Sequence, residues 1–185
     1  MERVNKILKH PIFLREQQRI KAFEKNRIYC GHQSEHLLDV ARIGWIMILE
    51  EKQNIEKSVF YAAALLHDIG RAMQYETGEP HQLAGILLAG QVLEDCGYSK
   101  QEREAILEAI RMHRTDPINE KNLAGILYRA DKKSRACYCC ESEPLCNWSN
   151  QKKNLIIQYI VGLIVLKAIR PTIFCINIRN FLYKF

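Results

Sequence analysis

Six side chains able to bind a metal ion recur along the chain: His36, the adjacent pair His67-Asp68, His81, His113 and Asp131. Imidazole and carboxylate together suit iron, manganese, zinc and similar divalent ions. A metal with an open position makes hydroxide from water near neutral pH, and two metals can clamp the attacking and leaving oxygens of a phosphate ester. A single buried histidine is more often a satisfied core residue than a ligand. An ionised aspartate on an apolar face is another matter, because it is costly unless paired or metal-bound. Several such residues on separate helices fit the way bundles build metal sites from facing side chains.

The elements that must carry these residues are helical almost throughout. A first helix fits roughly Pro11 to Asn26, with proline tolerated in the first turn. A second begins near Cys30–Ser34, where His36, Val40, Ile43 and Met47 form one face. A third runs from about Glu56 to Asp68, with Gly70 as a stop. A fourth starts at Pro80 and ends by Gly97. The capping box Ser99-Lys-Gln-Glu102 opens a fifth, which ends near His113. A sixth spans about Glu120 to Ser134 and puts Ala124, Leu127 and Asp131 on one face. His10 falls in an N-terminal lead and reads as a surface residue. Glycine-rich phosphate loops, nucleophile elbows and internal repeats are missing from the sequence. The expected fold is a single-domain, all-α helical bundle with a metal site in its core.

The order His36, His67-Asp68, Asp131 resembles the signature of the HD-domain metal-dependent phosphohydrolases. The flanks match as well: EHLLDVARI around His36, AALLHDIGR around the pair, LYRADKKSR around Asp131. PHQLAG at His81 and AIRMH at His113 resemble the added positions of dinuclear members. The resemblance covers roughly residues 10–150 and implies one or two divalent ions, such as iron or manganese. It further implies that Asp68 bridges, that His36, His67 and Asp131 hold one ion, and that His81 and His113 hold the other. One departure stands out. Arg114 follows His113 where many dinuclear relatives have a second histidine, which implies a weaker second site or one filled only with substrate present.

Other residues join this reading in supporting roles. Asp68 could also orient the attacking water. Arg71 could hold a substrate phosphate in bidentate fashion, and Lys132 and Arg135 could contact substrate near the mouth of the site. His32 precedes His36 by one helical turn, so the two can face the same way. It is a candidate substrate contact or proton carrier, beside Cys30. The alternative for each is a packed or solvated side chain.

There are seven cysteines, and the odd count argues against a secreted disulfide framework. The N-terminus has no export signal, and the expected location is cytoplasmic. Cys137, Cys140 and Cys146 have metal-knuckle spacing and could hold a structural zinc ion. Reactive thiols and plain packing are the alternatives. The cluster resembles the cysteine segment that ends a bacterial subgroup of small HD-domain proteins.

The formal charge is +6, but no acidic residue follows Glu143 and six basic residues do. The body before that point balances, so a nucleic-acid partner is not expected. The apolar run Leu155 to Leu166 is shorter than the roughly 20 residues a membrane span needs. The domain organisation is therefore read as a helical domain over 1–154, with a cysteine-rich segment at 137–148, then an apolar, basic tail over 155–185. That tail could cover the core, pair with a second subunit in a homo-oligomer, or be an atypical end. The function expected is hydrolysis of a phosphate ester or anhydride in a nucleotide or similar small metabolite. The competing readings are a diiron oxygenase on the HD fold and a non-catalytic ligand-binding or regulatory protein.

Overall fold

The computed structural model describes residues 1–115 and 120–155. Residues 116–119 and 156–185 lie outside it, and with them nearly all of the expected tail. Nine α-helices and no strand occur among the described residues. They are α1 (Glu2–Lys9), α2 (Pro11–Phe23), α3 (Ser34–Glu50), α4 (Lys57–Leu66), α5 (Arg71–Thr77), α6 (His81–Ala84), α7 (Ile86–Asp95), α8 (Lys100–Met112) and α9 (Leu123–Lys133). None is long and apolar enough to cross a membrane. The fold is all-α, as the periodicity required.

The centre of the helical unit is α4. Its run Ala62-Ala63-Ala64-Leu65-Leu66 is fully buried. A helix that is apolar on every side can only sit inside a core. Burial of each leucine contributes about 1.5–3 kcal/mol. Around α4 pack α3, α8, α9 and α1, and α3 also lies along α9. Gly44 of α3 sets that spacing: a Cβ there would lie 2.1 Å from a Phe60 ring carbon and 3.1 Å from Ala130 Cβ. Three helices thus meet where one of them has no side chain.

Three differences from the sequence pattern have physical causes. The N-terminal lead is a helix, α1, too short to form alone. Tertiary contacts hold it: Val4 and Ile7 are buried, and Arg3 donates to both Glu102 oxygens at 2.8 and 2.9 Å and to Ser58 Oγ at 2.8 Å. His10 is not a plain surface residue. Its Nδ1 accepts from Ile12 N–H at 3.2 Å, capping α2, so Nε2–H is the side that meets Asp95 Oδ2 at 3.1 Å. The expected Pro80–Gly97 helix is interrupted at Gly85, which separates α6 from α7. The Ser99–Glu102 capping box forms as expected.

The described residues fall into two compact units, one over 1–134 and a second that begins at Arg135. In its described part the second unit holds two 3-10 turns, Cys137–Cys139 and Glu143–Leu145. Lys153 Nζ donates to Glu143 Oε1 at 2.5 Å, and Tyr138 N–H to Asn154 O at 3.1 Å.

Replacing Gly44 with alanine forces Phe60 or α9 to move. The expected cost is about 1–3 kcal/mol, as for other overpacked cores. A urea denaturation midpoint, compared with wild type at constant slope, measures it.

Candidate metal centre

Each of the six expected ligands comes from a different helix or helix end, except the His67-Asp68 pair. His36 lies in the first turn of α3, and His67 ends α4 with Asp68 beside it. His81 opens α6, His113 ends α8, and Asp131 lies in the last turns of α9. All six are buried, none more than 8% exposed. The structure therefore gathers into one place residues spread over nearly a hundred positions.

Asp68 is the hub. Its Oδ1 lies 3.0 Å from His81 Nε2 and 3.9 Å from His113 Nε2. Its Oδ2 lies 3.1 Å from His67 Nε2 and 3.7 Å from His36 Nε2. Asp131 Oδ1 stands on the second of these sides, 3.2 Å from His36 Nε2 and 3.8 Å from His67 Nε2. Two mutually close groups result, His36-His67-Asp68 and Asp68-His81-His113, each able to hold a metal ion.

Each imidazole is turned the same way. His67 Nδ1–H donates to Ala64 O at 2.7 Å and His113 Nδ1–H to Ile110 O at 2.6 Å. These carbonyls belong to last helical turns, which lack intrahelical partners. A histidine ending a helix thus satisfies its own helix and fixes its tautomer in one contact. His81 Nδ1–H donates to Gln74 Oε1 at 2.7 Å. Ser134 Oγ donates to Asp131 O at 2.8 Å and so accepts from His36 Nδ1–H at 3.1 Å. In their neutral forms all four imidazoles then present Nε2 lone pairs inward, the arrangement that outer partners impose on metal-binding histidines.

Those lone pairs fit a cation and little else. His81 Nε2 and His113 Nε2 are 3.0 Å apart, and with both Nδ1 atoms donating, neither Nε2 has a proton to share. His67 Nε2 and Asp68 Oδ2 are buried and misaligned, with no hydrogen bond to either. Buried acceptors facing one another are costly unless a positive charge lies among them.

The electrostatics agree. Burial opposes ionisation of Asp68, but the charges of His67 and Arg71 outweigh it and hold its pKa well below the usual carboxylate range. Burial likewise opposes a charge on His67, yet Asp68 and then Asp131 outweigh it and raise its pKa. Burial, with the His67 charge, pushes His113 down to about 3, and burial lowers His81. The two carboxylates thus favour a positive charge at His67.

The supporting residues stand closer in than expected. Arg71 Nε donates to Asp68 Oδ1 at 2.9 Å and its Nη1 to Gln74 Oε1 at 3.2 Å. Lys132 Nζ lies 2.5 Å from Asp131 Oδ2 and over the Tyr128 ring. His32 meets His36 edge-to-face, ring centroids 6.0 Å apart. Arg135 falls in the second unit. Among the described residues, Cys137, Cys140 and Cys146 do not form one of the close ligand groups. Two contributors were not legible beforehand: Gln74 and Ser134. Ser134 and Gln74 each follow a site residue by three positions, Asp131 and Arg71, and that helical spacing was the available signal.

Residues 34–136 match the model of the HD domain, and the chain belongs to the HD-domain family. It is 41% identical over 159 residues to an uncharacterized protein of Clostridium beijerinckii, covering 86% of this chain and all of that one. It is 31% identical over 121 residues to ribonuclease Y of Nitratidesulfovibrio vulgaris, 65% of this chain but 21% of that enzyme. For ribonuclease Y of Borrelia garinii subsp. bavariensis the values are 33% over 129 residues, 69% and 23%. The fold is similar to that of a solved protein from an uncultured Thermotogales bacterium, described as a predicted HD superfamily hydrolase. The TM-score is 0.58 at 21% identity, covering 94% of this chain and 90% of that one.

Because the raised pKa of His67 reflects a proton held by Asp68 and Asp131, a divalent ion must displace it. Metal affinity should therefore fall as pH drops below that raised pKa and level off above it. Calorimetric titration with zinc at mildly acidic pH, in two buffers of different ionisation enthalpy, should show proton release that is lost in His67→Ala.

Proposed function

We propose that this HD-domain protein is a metal-dependent phosphohydrolase acting on a phosphate ester or anhydride of a nucleotide or similar small metabolite. The observation that carries this reading is Asp68, with one oxygen toward His81 and the other toward His67, 3.0 and 3.1 Å away. A carboxylate so placed suits a bridge between two ions. When bound, such ions lower the pKa of a water molecule and neutralise charge on phosphoryl oxygens.

In this reading His36, His67, Asp68 and Asp131 hold one ion, and Asp68, His81 and His113 the other. Arg71 and Lys132 have a double duty. Each pairs with a site carboxylate in the absence of metal, and each leaves a cation at the edge of the centre for an anionic substrate. Arg135 is a further candidate phosphate contact, and Cys137, Cys140 and Cys146 remain candidate structural ligands. His32 contacts substrate from the His36 side. Iron and manganese suit the mixed imidazole and carboxylate set. The partial match to ribonuclease Y, by its name an enzyme that cuts a phosphate ester, supports the reaction class. A small substrate is favoured over nucleic acid by the balanced charge of residues 1–143. The expected location is cytoplasmic.

Metal content of anaerobically purified protein, with phosphate release from a panel of nucleotides and phosphate esters, tests this. Wild type should hold about two equivalents, falling to about one in His81→Ala, and Asp68→Asn should abolish phosphate release. Gly70→Ala should behave like His81→Ala, because its Cβ would lie 2.3 Å from His81 O and 2.5 Å from Gly85 N. Redox-active iron with oxygen consumption and no phosphate release would replace this reading with the oxygenase.

A further inference from the structure

Two buried glutamates lie outside the metal centre, Glu16 and Glu24. Glu16 is matched by Arg15 and Arg19 of its own helix, at 2.8 and 2.6 Å. Glu24, at the end of α2, has a different set of partners. Its Oε2 accepts from the backbone N–H of His32 at 2.9 Å. Its Oε1 pairs with His32 Nδ1 and accepts from the Tyr75 hydroxyl at 2.7 Å. Both oxygens of one carboxylate therefore hold one residue, by its backbone and by its ring.

Fold stability does not require such a pair. Well-packed apolar side chains replace a buried ion pair at little or no loss, so the pair by itself is weak evidence of a stabilising role. Its position is more telling. His32 lies just ahead of α3, whose N-cap is Gln33, and its ring meets that of His36 edge-to-face. Tyr75 belongs to α5, the helix that starts with Arg71 and carries Gln74. The brace therefore joins the end of α2, the approach to α3 and the helix bearing two groups that line the centre.

We propose that Glu24 is a positioning residue which, with Tyr75, holds His32 in the orientation that lets its ring touch the substrate's phosphoryl group beside the His36–His67–Asp131 half of the centre. This rests on the phosphohydrolase reading. The logic is that of an outer carboxylate orienting a working histidine, here applied to a histidine outside the ligand set.

The test has two readouts. Zinc-loaded protein is titrated with inorganic phosphate while the imidazole resonances of His32 are followed by NMR. Turnover is measured with bis(p-nitrophenyl) phosphate on the metal-loaded enzyme. Phosphate should shift the His32 signal in wild type. Glu24→Gln keeps the size of the side chain but only one acceptor oxygen. It should bind metal normally, lose the phosphate-induced shift, and lower kcat by roughly 10²-fold, the scale of a misplaced catalytic contact. In a His32→Gln background the same change should have no further effect on kcat, since residues acting as a unit are not additive. Tyr75→Phe should give a smaller loss of the same kind, and it carries the test if Glu24→Gln does not fold. Equal losses in both backgrounds, or a Glu24→Gln enzyme with unchanged kcat, would overturn the proposal. If wild type cleaves no phosphate ester yet phosphate still moves the His32 signal only when Glu24 is intact, the hydrolase reading falls and the braced phosphate contact stands.

Discussion

A buried, ionised aspartate among four imidazoles is the constraint on which the rest of this structure depends. Asp68 is 1% exposed, and its two oxygens face different histidine pairs. An unpaired carboxylate in such a place would neutralise itself by taking up a proton. Here the surrounding charges work the other way and keep it ionised. The helices around α4 are arranged so that positive charge, from a proton, from Arg71 or from metal, always has a place beside it.

The orientation of the ligands follows from helix ends as much as from side-chain chemistry. His67 and His113 each terminate a helix and each donate to the carbonyl three residues back. A helix terminus leaves carbonyls that need a donor, and the imidazole supplies one. The same contact turns the ring so that its second nitrogen points into the centre. His81 and His36 are turned instead by Gln74 and Ser134. Metal-site geometry and helix termination are thus one problem with one solution.

Close backbone approach supplies the remaining precision. Gly70 follows the His67-Asp68 pair by two residues and rests against His81 O and the Gly85 backbone. A side chain at either glycine would push α6, and His81 with it, away from Asp68. Gly44 does the same for the contact of α3 with α4 and α9. Tyr75 of α5 and Glu24 tie the end of α2 to His32. The centre is thus enclosed by contacts between segments rather than by any one element.

The sequence by itself determined the helical class and the capping box at Ser99–Glu102, and it named the six residues that the structure brings together as candidate ligands. Periodicity places a residue on an apolar face, and a charged or imidazole side chain there must have a partner. It could not say which partner. That Asp68 divides its oxygens between two histidine pairs, and that Arg71 and Lys132 lie against site carboxylates, depends on residues dozens of positions apart. Nor could it show α1, whose eight residues are helical only because Arg3, Val4 and Ile7 find partners elsewhere. Glu24 opens the polar run Glu24-Lys25-Asn26-Arg27 in sequence. Only the tertiary structure buries it against His32 and Tyr75, because burial belongs to the packing of helices and not to the residue.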